Sequence, residues 1–461
     1  MATTSEIAPD NPPPLHVLVV GGGPSGLATA IAVSLAGHRA TVFEATPPRY
    51  PLQGSGVITC PNGARLLSRW GLEEGPDHWH RHVPIEHWQL CNRLGAPLGP
   101  DLITSGTGGG GDDERGEEGG NNNISSSDSD HGTSIPTHKT KAPPPWAWKR
   151  GDLVAKLRQR AIKLGATVHL GTRVTDVRHE EGSGDGAGGV RIRLHGGEEH
   201  RGDLAVVAQG THSRLRNTLL DQPLEPVATG YTAFRMDVSQ SGIVNPSPKL
   251  VAFMDGPPSV RTWVGQGSYV TVHPMDKAGL LSLLVLVPGA LQQHNEDIIP
   301  QGKLIRYLKG WDDMIYSMLD AADAQKEWTA THLPALPEPR HSPQGTSVLV
   351  GDAANTMSHF LSQGLSLDLE DAATLGCLLG HVRNAAQVPA ATALYSRIRN
   401  ERAQRLRDMT AVFESQLRAT PSDGFVNGAE GLGPEGELRS SFGWSYDAYA
   451  EAEKAFNSDP F

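Results

Sequence analysis

Apolar residues near the N-terminus follow the order of a strand, a helix and a second strand. Leu15–Val20 (LHVLVV) is a short apolar run that predicts a buried strand. An Ala-rich segment follows, and Ala40–Phe43 (ATVF) predicts a second strand that ends at the acidic residue Glu44. This order indicates a β-α-β unit at the start of the folded chain.

Later segments continue the mixture of strands and helices. Leu280–Pro288 (LLSLLVLVP) is too short to span a bilayer and predicts a buried strand. Ala166–Arg178 and Gly189–Leu194 predict two strands joined by the polar, hairpin-like loop His179–Gly188. Residues 368–416 carry Leu, Ala and Arg at helical spacing. We therefore predict an α/β fold.

Two stretches have almost no side chains to bury. Residues 1–14 are polar and rich in proline, which predicts a flexible tail. Between about residues 100 and 145 the chain reads GTGGGGDDERGEEGGNNNISSSDSD and similar polar sequence. Such a composition predicts a disordered surface insertion that carries no chemistry.

Composition and charge narrow the class of protein. A length of 461 residues suggests two or three domains, and 38% hydrophobic with 20% charged residues is typical of a folded globular chain. The net charge of −11 and the lack of a long basic run argue against nucleic-acid and anionic-membrane partners. The first residues lack the basic and apolar regions of a signal peptide, so we expect a cytoplasmic location.

The cysteines indicate a reducing compartment. Cys60, Cys91 and Cys377 are odd in number, far apart and without a CxxC pair. This pattern argues against a disulfide framework and against a zinc site, so we predict no metal.

A glycine motif in the first β-α-β unit predicts dinucleotide binding. Gly21, Gly23 and Gly26 form G-x-G-x-x-G between the first predicted strand and the helix. Gly21 permits a tight turn, Gly23 lets the backbone approach a pyrophosphate, and Gly26 allows close helix–strand packing. Glu44, at the end of the second strand, is placed to accept hydrogen bonds from ribose hydroxyls. The motif alone does not distinguish NAD from FAD.

Further motifs, in fixed order, resemble one family. The segments are QGSGVITCPNGARLLSRWGL (Gln53–Leu72), WKRGDLVAKL (Trp148–Leu157), GDLAVVAQGTHSRLR (Gly202–Arg216), GYTAFRMDV (Gly230–Val238) and VLVGDAANTMSHFLSQG (Val348–Gly364). Together they resemble the class A flavoprotein aromatic hydroxylases, the salicylate and p-hydroxybenzoate hydroxylase family. The resemblance covers nearly all of residues 15–455 outside the polar insertion.

The resemblance implies a domain organisation. A Rossmann-like FAD-binding domain would be formed by residues 15–220 and 341–375. A sheet-rich substrate domain would be inserted over residues 221–340, and a helical C-terminal region with a tail would occupy residues 376–461.

The resemblance also implies the residues that bind FAD. Arg150 stands at a position that contacts FAD in the family, and Asp352 would accept hydrogen bonds from the ribityl hydroxyls. With the glycine motif, the predicted FAD-binding set is Gly21, Gly23, Gly26, Glu44, Gly56, Val57, Arg150, Asp352 and Leu365.

The sequence departs from the family at positions near the reacting ring. Gln209 replaces an Asp that organises the cleft used by FAD and NAD(P)H. His359 replaces a Pro beside the flavin ring, Ser362 replaces a Gly, and Asn355 replaces a His. Small or amide residues of the family are replaced by Leu365, Ser366, Leu367 and Asp368. We therefore expect FAD to bind but NAD(P)H to reduce it slowly.

Arg235 and His359 are the predicted catalytic residues. Arg235 is suited to binding a phenolate, enolate or carboxylate, and the alternative is a structural ion pair with Asp237 or Asp255. His359 could act as a general acid or base, and the alternative is a histidine that faces solvent. Tyr269 and His273 lie at even spacing on one predicted strand, so they share a face, where core packing is equally consistent.

Three functions remain open. The first is a FAD-dependent monooxygenase of a small aromatic or polyketide-like metabolite. The second is an enzyme of the same fold that has lost hydroxylation driven by NAD(P)H and catalyses a cyclisation, pericyclic step or isomerisation. The third is a non-catalytic flavin-binding or partner protein. The predicted partner is a small-molecule substrate, and the sequence does not indicate an oligomeric state.

Overall fold

The structure of this chain is a computed structural model. It describes residues 13–48, 55–73, 82–103, 143–181, 188–222, 224–289, 304–305, 307–322, 326–336, 340–419 and 442–461. The predicted tail (residues 1–14) and the predicted insertion (about 100–145) lie almost wholly outside these ranges.

Strands and helices alternate through most of the chain. The helices are α1 (Pro24–Leu35), α2 (Pro61–Arg69), α3 (Arg150–Lys163), α4 (Arg214–Leu220), α5 (Pro248–Asp255), α6 (Asp313–Asp320), α7 (Asp352–Asn355), α8 (Gly364–Leu379), α9 (Val388–Ala419) and α10 (Ala448–Ser458). The strands are β1 (His16–Val20), β2 (Arg39–Glu44), β3 (Gly56–Thr59), β4 (Val83–Pro84), β5 (His87–Asn92), β6 (Trp146–Lys149), β7 (Thr167–Leu170), β8 (Val174–Glu180), β9 (Gly189–Leu194), β10 (Glu199–Gly202), β11 (Leu204–Val207), β12 (Val227–Ser239), β13 (Ser259–Gly265), β14 (Ser268–Pro274), β15 (Leu280–Pro288), β16 (Lys326–His332) and β17 (Ser347–Leu349). The predicted α/β class is confirmed.

A five-stranded parallel sheet forms the centre of the first unit. Its strand order is β17-β11-β1-β2-β7, and the predicted strand–helix–strand unit is β1, α1 and β2. Helices α1, α3 and α8 cover the sheet with a continuous apolar core. The carboxyl ends of β1, β11 and β17 meet at one edge, where a ligand of such a sheet is expected to bind.

A six-stranded, mainly antiparallel sheet forms the second unit. Its order is β16-β12-β15-β14-β13-β5. The predicted buried strand Leu280–Pro288 is confirmed as β15, which pairs with β12 on one side and β14 on the other. One edge strand, β5, comes from the sequence range assigned to the first domain, and it pairs in parallel with β13.

The prediction of a single strand over Ala166–Arg178 is wrong. The segment forms two strands, β7 in the parallel sheet and β8 in a separate three-stranded sheet. Gly171, between them, has a φ of +71°, a turn conformation that breaks the extended chain. The predicted hairpin is present, since β8 pairs with β9 in antiparallel fashion.

Two helices occupy the predicted helical stretch at residues 368–416. These are α8 and α9, which are separated by a short connection at residues 380–387. Helix α10 packs against both of them. Within the described ranges, each helix is too short or too polar to cross a lipid bilayer.

Candidate active site

A cavity of about 950 Å³ lies between the edge of the parallel sheet and the six-stranded sheet. It is large enough for a drug-sized ligand. The cavity brings together most of the predicted site residues, which are Gly21, Gly23, Glu44, Gly56, Val57, Arg150, Arg235, Asp352, His359 and Leu365. Gly26 lies behind this lining.

The glycine motif shapes one end of the cavity through close backbone packing. A Cβ at Gly21, where φ is +115°, would collide with the carbonyl oxygen of Ala208, and a Cβ at Gly26 would collide with that of Gly21. Gly23, by contrast, faces open space. Helix α1 begins after Gly23 without a side-chain cap, so its first N–H groups are available to an anion.

Glu44 fixes the turn of the glycine motif. Its carboxylate accepts a hydrogen bond from the N–H of Gly22 at 2.6 Å and another from the N–H of Thr46 at 2.7 Å. A carboxylate can accept further hydrogen bonds. Glu44 is therefore held at the wall of the cavity with capacity left for ligand hydroxyls.

Asp352 begins helix α7 at the carboxyl end of β17. Burial raises the pKa of Asp352 to about 6, Arg150 opposes this increase, and the charge of Asp371 adds to it. Arg150 also lowers the pKa of Arg235. Arg150 therefore lies near both Asp352 and Arg235, which line different parts of the cavity.

A buried ion network supports the loop that carries Asp352. Asp371 accepts a hydrogen bond from the N–H of Gly351 at 2.9 Å and one from Arg399 Nε at 2.6 Å. Glu370 pairs with Arg399 and Arg402, at 2.8 Å in each case. These side chains are almost completely buried, so the network ties helix α8, and through it the loop, to helix α9.

The sequence predicted helices over residues 368–416 but not that the acidic pair on helix α8 binds arginines of helix α9. The usable signal was the pair Glu370-Asp371 followed by arginines at helical spacing, Arg399 and Arg402.

Arg235 and His359 line the same cavity. Both side chains are half-buried. Burial lowers the pKa of Arg235 to about 10, so the guanidinium remains charged at neutral pH. Burial and the charge of Arg235 lower the pKa of His359 to about 4, so its imidazole is neutral. His359 lines the cavity, and its catalytic role remains a prediction.

The structural alternative for Arg235 stays open. Asp237 is near enough to oppose the lowering of the Arg235 pKa, and Asp237 also accepts a hydrogen bond from Ser55. Arg235 therefore has at least one acidic neighbour, Asp237, beside the cavity.

His273 is a second imidazole in the cavity, on strand β14. Its Nδ1 donates to the carbonyl oxygen of Pro274 at 2.9 Å, which leaves Nε2 as the acceptor of the neutral ring. Burial lowers the pKa of His273 to about 4. A Cβ at Gly56 would collide with this ring, so Gly56 permits the close approach of strands β3 and β14.

Tyr269 and His273, which share a face of β14, have different surroundings. Tyr269 packs in the core against Phe360, with ring centroids 5.6 Å apart, whereas His273 reaches the cavity. Sequence reasoning missed the wall residues between and beside them. These are Thr271, Ser282 and Leu284, and the alternation of β14 and β15 could have located them only once the strand pairing was known.

The positions that depart from the family have specific structural roles. Gln209 Oε1 accepts from Ser213 Oγ at 3.1 Å and weakly from the N–H of Leu215, so the amide organises the start of helix α4. Ser362 has a φ of +53°, a left-handed conformation that glycine adopts more easily. Asn355 accepts a hydrogen bond from Arg407 of helix α9.

Comparison with known proteins supplies the family. The profile of a family described as "FAD binding domain" matches residues 14–410. The chain belongs to this family. The predicted resemblance to FAD-dependent monooxygenases and the predicted FAD cofactor are confirmed, and the protein is a FAD-dependent oxidoreductase.

Individual relatives agree with this assignment. The "FAD-dependent monooxygenase OpS4" of Beauveria bassiana (strain ARSEF 2860) is 30% identical over 404 residues, which cover 85% of this chain and 83% of OpS4. Among solved structures, a "Salicylate hydroxylase substrate complex" has a TM-score of 0.71 at 20% identity and covers 96% of this chain and 98% of its own. The "Diels-Alderase PyrE3" has a TM-score of 0.61 at 21% identity, and the match covers 87% of this chain and 73% of the PyrE3 chain. These two structures show the shared fold.

The residues of the cavity fit FAD. The uncapped start of helix α1 and the open space at Gly23 suit a pyrophosphate, and Glu44 suits ribose hydroxyls. Asp352 and Leu365 line the same cavity, next to the start of helix α8. The FAD-binding residues predicted from the sequence therefore remain our prediction.

Outside the cavity lining, one group of potential metal ligands lies among the described residues. One ligand atom from each of Cys377, His381 and Glu453 lies within 4.8 Å of the others. That the protein binds no metal remains a prediction from the sequence.

Proposed function

We propose that the protein is a FAD-dependent monooxygenase of a small aromatic or polyketide-like metabolite. One observation carries the proposal. A single cavity brings the residues suited to FAD together with Arg235, His273 and His359. A cofactor and a substrate bound in this one cavity would be in direct contact, which flavin-dependent oxygen transfer requires.

Arg235 would bind and orient the substrate. Its pKa of about 10 keeps the guanidinium charged at neutral pH, and burial strengthens its attraction for a phenolate or carboxylate. An aromatic carbon beside a bound phenolate is electron-rich. When bound, FAD supplies the activation of dioxygen for transfer of one oxygen atom to such a carbon.

His359 and His273 would serve as neutral hydrogen-bonding groups. Each has a pKa of about 4, so neither adds positive charge at neutral pH. The neutral imidazole of His359 can donate to a substrate carbonyl or accept from a hydroxyl. His273, whose Nδ1 donates to Pro274, has its Nε2 left to accept from a substrate hydroxyl. Thr271, Ser282 and Leu284 form the neighbouring wall, which would position the substrate and displace water.

Two observations support the second hypothesis, an enzyme that has lost hydroxylation driven by NAD(P)H. Gln209 provides a neutral amide where the family has an acid, and Ser362 occupies a left-handed position where the family has glycine. PyrE3, a Diels-Alderase by name, shares the fold. In this case Arg235 and His359 would polarise a substrate without oxygen transfer.

Spectra of the purified protein distinguish these functions. Salicylate is a suitable first probe, because it carries both a phenol and a carboxylate for Arg235. A yellow protein that bleaches with NADPH in air-free solution, and forms a product with one added oxygen atom when air is admitted, supports the monooxygenase. A yellow protein that NADPH leaves unbleached supports the second or the third hypothesis. A product with the same composition as its substrate identifies the second, whereas the third gives no product.

The small-molecule partner and the cytoplasmic location remain predictions.

A further inference from the structure

A second carboxyl group lies beside Asp352 at the cofactor end of the cavity. Asp368, on helix α8, lines the cavity together with Gly23, Ser25 and Asp352. Only 8% of Asp368 is exposed. Ser25, in the first turn of helix α1, lies beside this carboxyl group, since a Cβ at Gly351 would meet both Ser25 Oγ and Asp368 Oδ1.

The charges around Asp368 come from three elements. Asp352 from helix α7 and Asp371 from its own helix repel a negative charge on Asp368, and Arg150 from helix α3 attracts it. Asp371 is paired with Arg399 at 2.6 Å and Arg340 at 3.5 Å. Within the part of the chain that the structure describes, no salt bridge includes Asp368.

These surroundings favour the neutral acid. Burial is the largest cause, followed by Asp352 and Asp371, and together they hold the pKa of Asp368 well above its ordinary value. The neighbouring Ser25 hydroxyl and the charge of Arg150 oppose the increase in the pKa of Asp368 without reversing it.

Binding of FAD would add negative charge at this place. The start of helix α1, which includes Ser25, has uncapped N–H groups suited to a pyrophosphate. An ionised Asp368 would repel that pyrophosphate, whereas a neutral carboxylic acid can donate a hydrogen bond to an acceptor oxygen of the cofactor. The same residue therefore opposes or supports binding according to its protonation.

We propose that Asp368 binds FAD as a neutral carboxylic acid, so that FAD binding takes up one proton whenever Asp368 is ionised in the flavin-free protein. The inference rests on FAD binding and is independent of the reaction that follows. Raising the pH ionises Asp368 in the flavin-free protein first, because bound FAD keeps the acid protonated. The affinity for FAD then falls by up to about 10-fold per pH unit between the two pKa values.

Titration of flavin-free protein with FAD tests the proposal. Fluorescence quenching gives the Kd from weakly acidic to weakly basic pH, where FAD itself does not titrate. We expect the Kd of the wild-type protein to rise with pH and that of Asp368→Asn to change much less. Asp320→Asn, at an exposed acid at the end of helix α6, is the matched control and should behave as wild type.

Calorimetry provides a test that needs no variant. FAD binding measured in two buffers of different ionisation enthalpy should reveal proton uptake at basic pH. If the wild-type protein binds FAD with a pH-independent Kd and without proton uptake, the proposed role of Asp368 is overturned, while the proposed function is unaffected. Failure of the wild-type protein to bind FAD would overturn this proposal together with the proposed function.

Discussion

The guanidinium of Arg235 and the imidazole of His359 line the same cavity, and the arginine charge adds to burial in lowering the histidine pKa to about 4. A fixed cation therefore lies close to a neutral hydrogen-bonding group. In the proposed function, this pair would bind an anionic oxygen and a neutral oxygen of one substrate at the same time.

Replacement of His359 by Ala tests its role in turnover. We expect at least a ~10-fold loss, which corresponds to ~1.4 kcal/mol of activation free energy, because a hydrogen bond to the substrate is removed. FAD content should stay unchanged, since the predicted FAD-binding residues are intact. His195→Ala, at an exposed turn, is the control. Equal turnover in the wild-type protein and His359→Ala would exclude a catalytic role.

Replacement of Asp352 by Ala tests the FAD site. The predicted hydrogen bonds to the ribityl chain would be lost, so the purified variant should contain much less flavin. The ratio of flavin absorbance to protein absorbance measures this loss. Asp320→Ala should retain its flavin, and full occupancy in Asp352→Ala would remove Asp352 from the predicted site.

Replacement of Glu370 by Gln tests the buried ion network. The change leaves Arg399 and Arg402 with less compensating charge, and breaking such a buried pair costs roughly 3–5 kcal/mol. Thermal unfolding should shift downward by several degrees. Glu451→Gln is the control, because the exposed Glu451 lies 3.9 Å from Lys454 and contributes little. Similar shifts in the two variants would contradict the network's structural role.

The two cavity histidines should make the protein less stable in mild acid. His273 and His359 have folded-state pKa values of about 4, below the ordinary value near 6.5. The unfolded chain therefore binds more protons between these pH values, and the unfolding free energy falls as the pH drops through this window.

A double variant isolates this effect from that of the other titrating groups. In His273→Gln/His359→Gln, the melting temperature of the flavin-free protein should fall less between about pH 6.5 and 4 than in the wild-type protein. Asp352 and Asp368 have raised pKa values and act in the opposite direction, but they are present in both proteins. If the melting temperatures of the variant and the wild-type protein change with pH in the same way, the two histidines are not held neutral by the folded protein.

Short-range sequence patterns were sufficient to locate several individual strands and helices. The glycine motif and its flanking apolar runs located β1, α1 and β2, and an unbroken apolar run gave both ends of β15. Ala166–Arg178 was assigned wrongly because a turn at Gly171 divides residues that all have strand character.

Contacts between distant segments could not be predicted in the same way. The pairing of Glu370 with Arg402 depends on how α8 and α9 pack, and that geometry is absent from the sequence pattern of either helix. Asp368 was noticed as a departure from the family, but its proximity to Ser25 appears only when α1 and α8 are brought together.

The edge strand His87–Asn92 has a consequence for protein engineering. Because β5 completes the six-stranded sheet by pairing with β13, a chimera that exchanges only residues 221–340 with a relative would join a foreign β13 to the original β5. The apolar faces of the two strands would then come from different parents, and their register would have to match by chance. A transplant of substrate specificity should therefore carry residues 82–103 with it, as a second inserted piece.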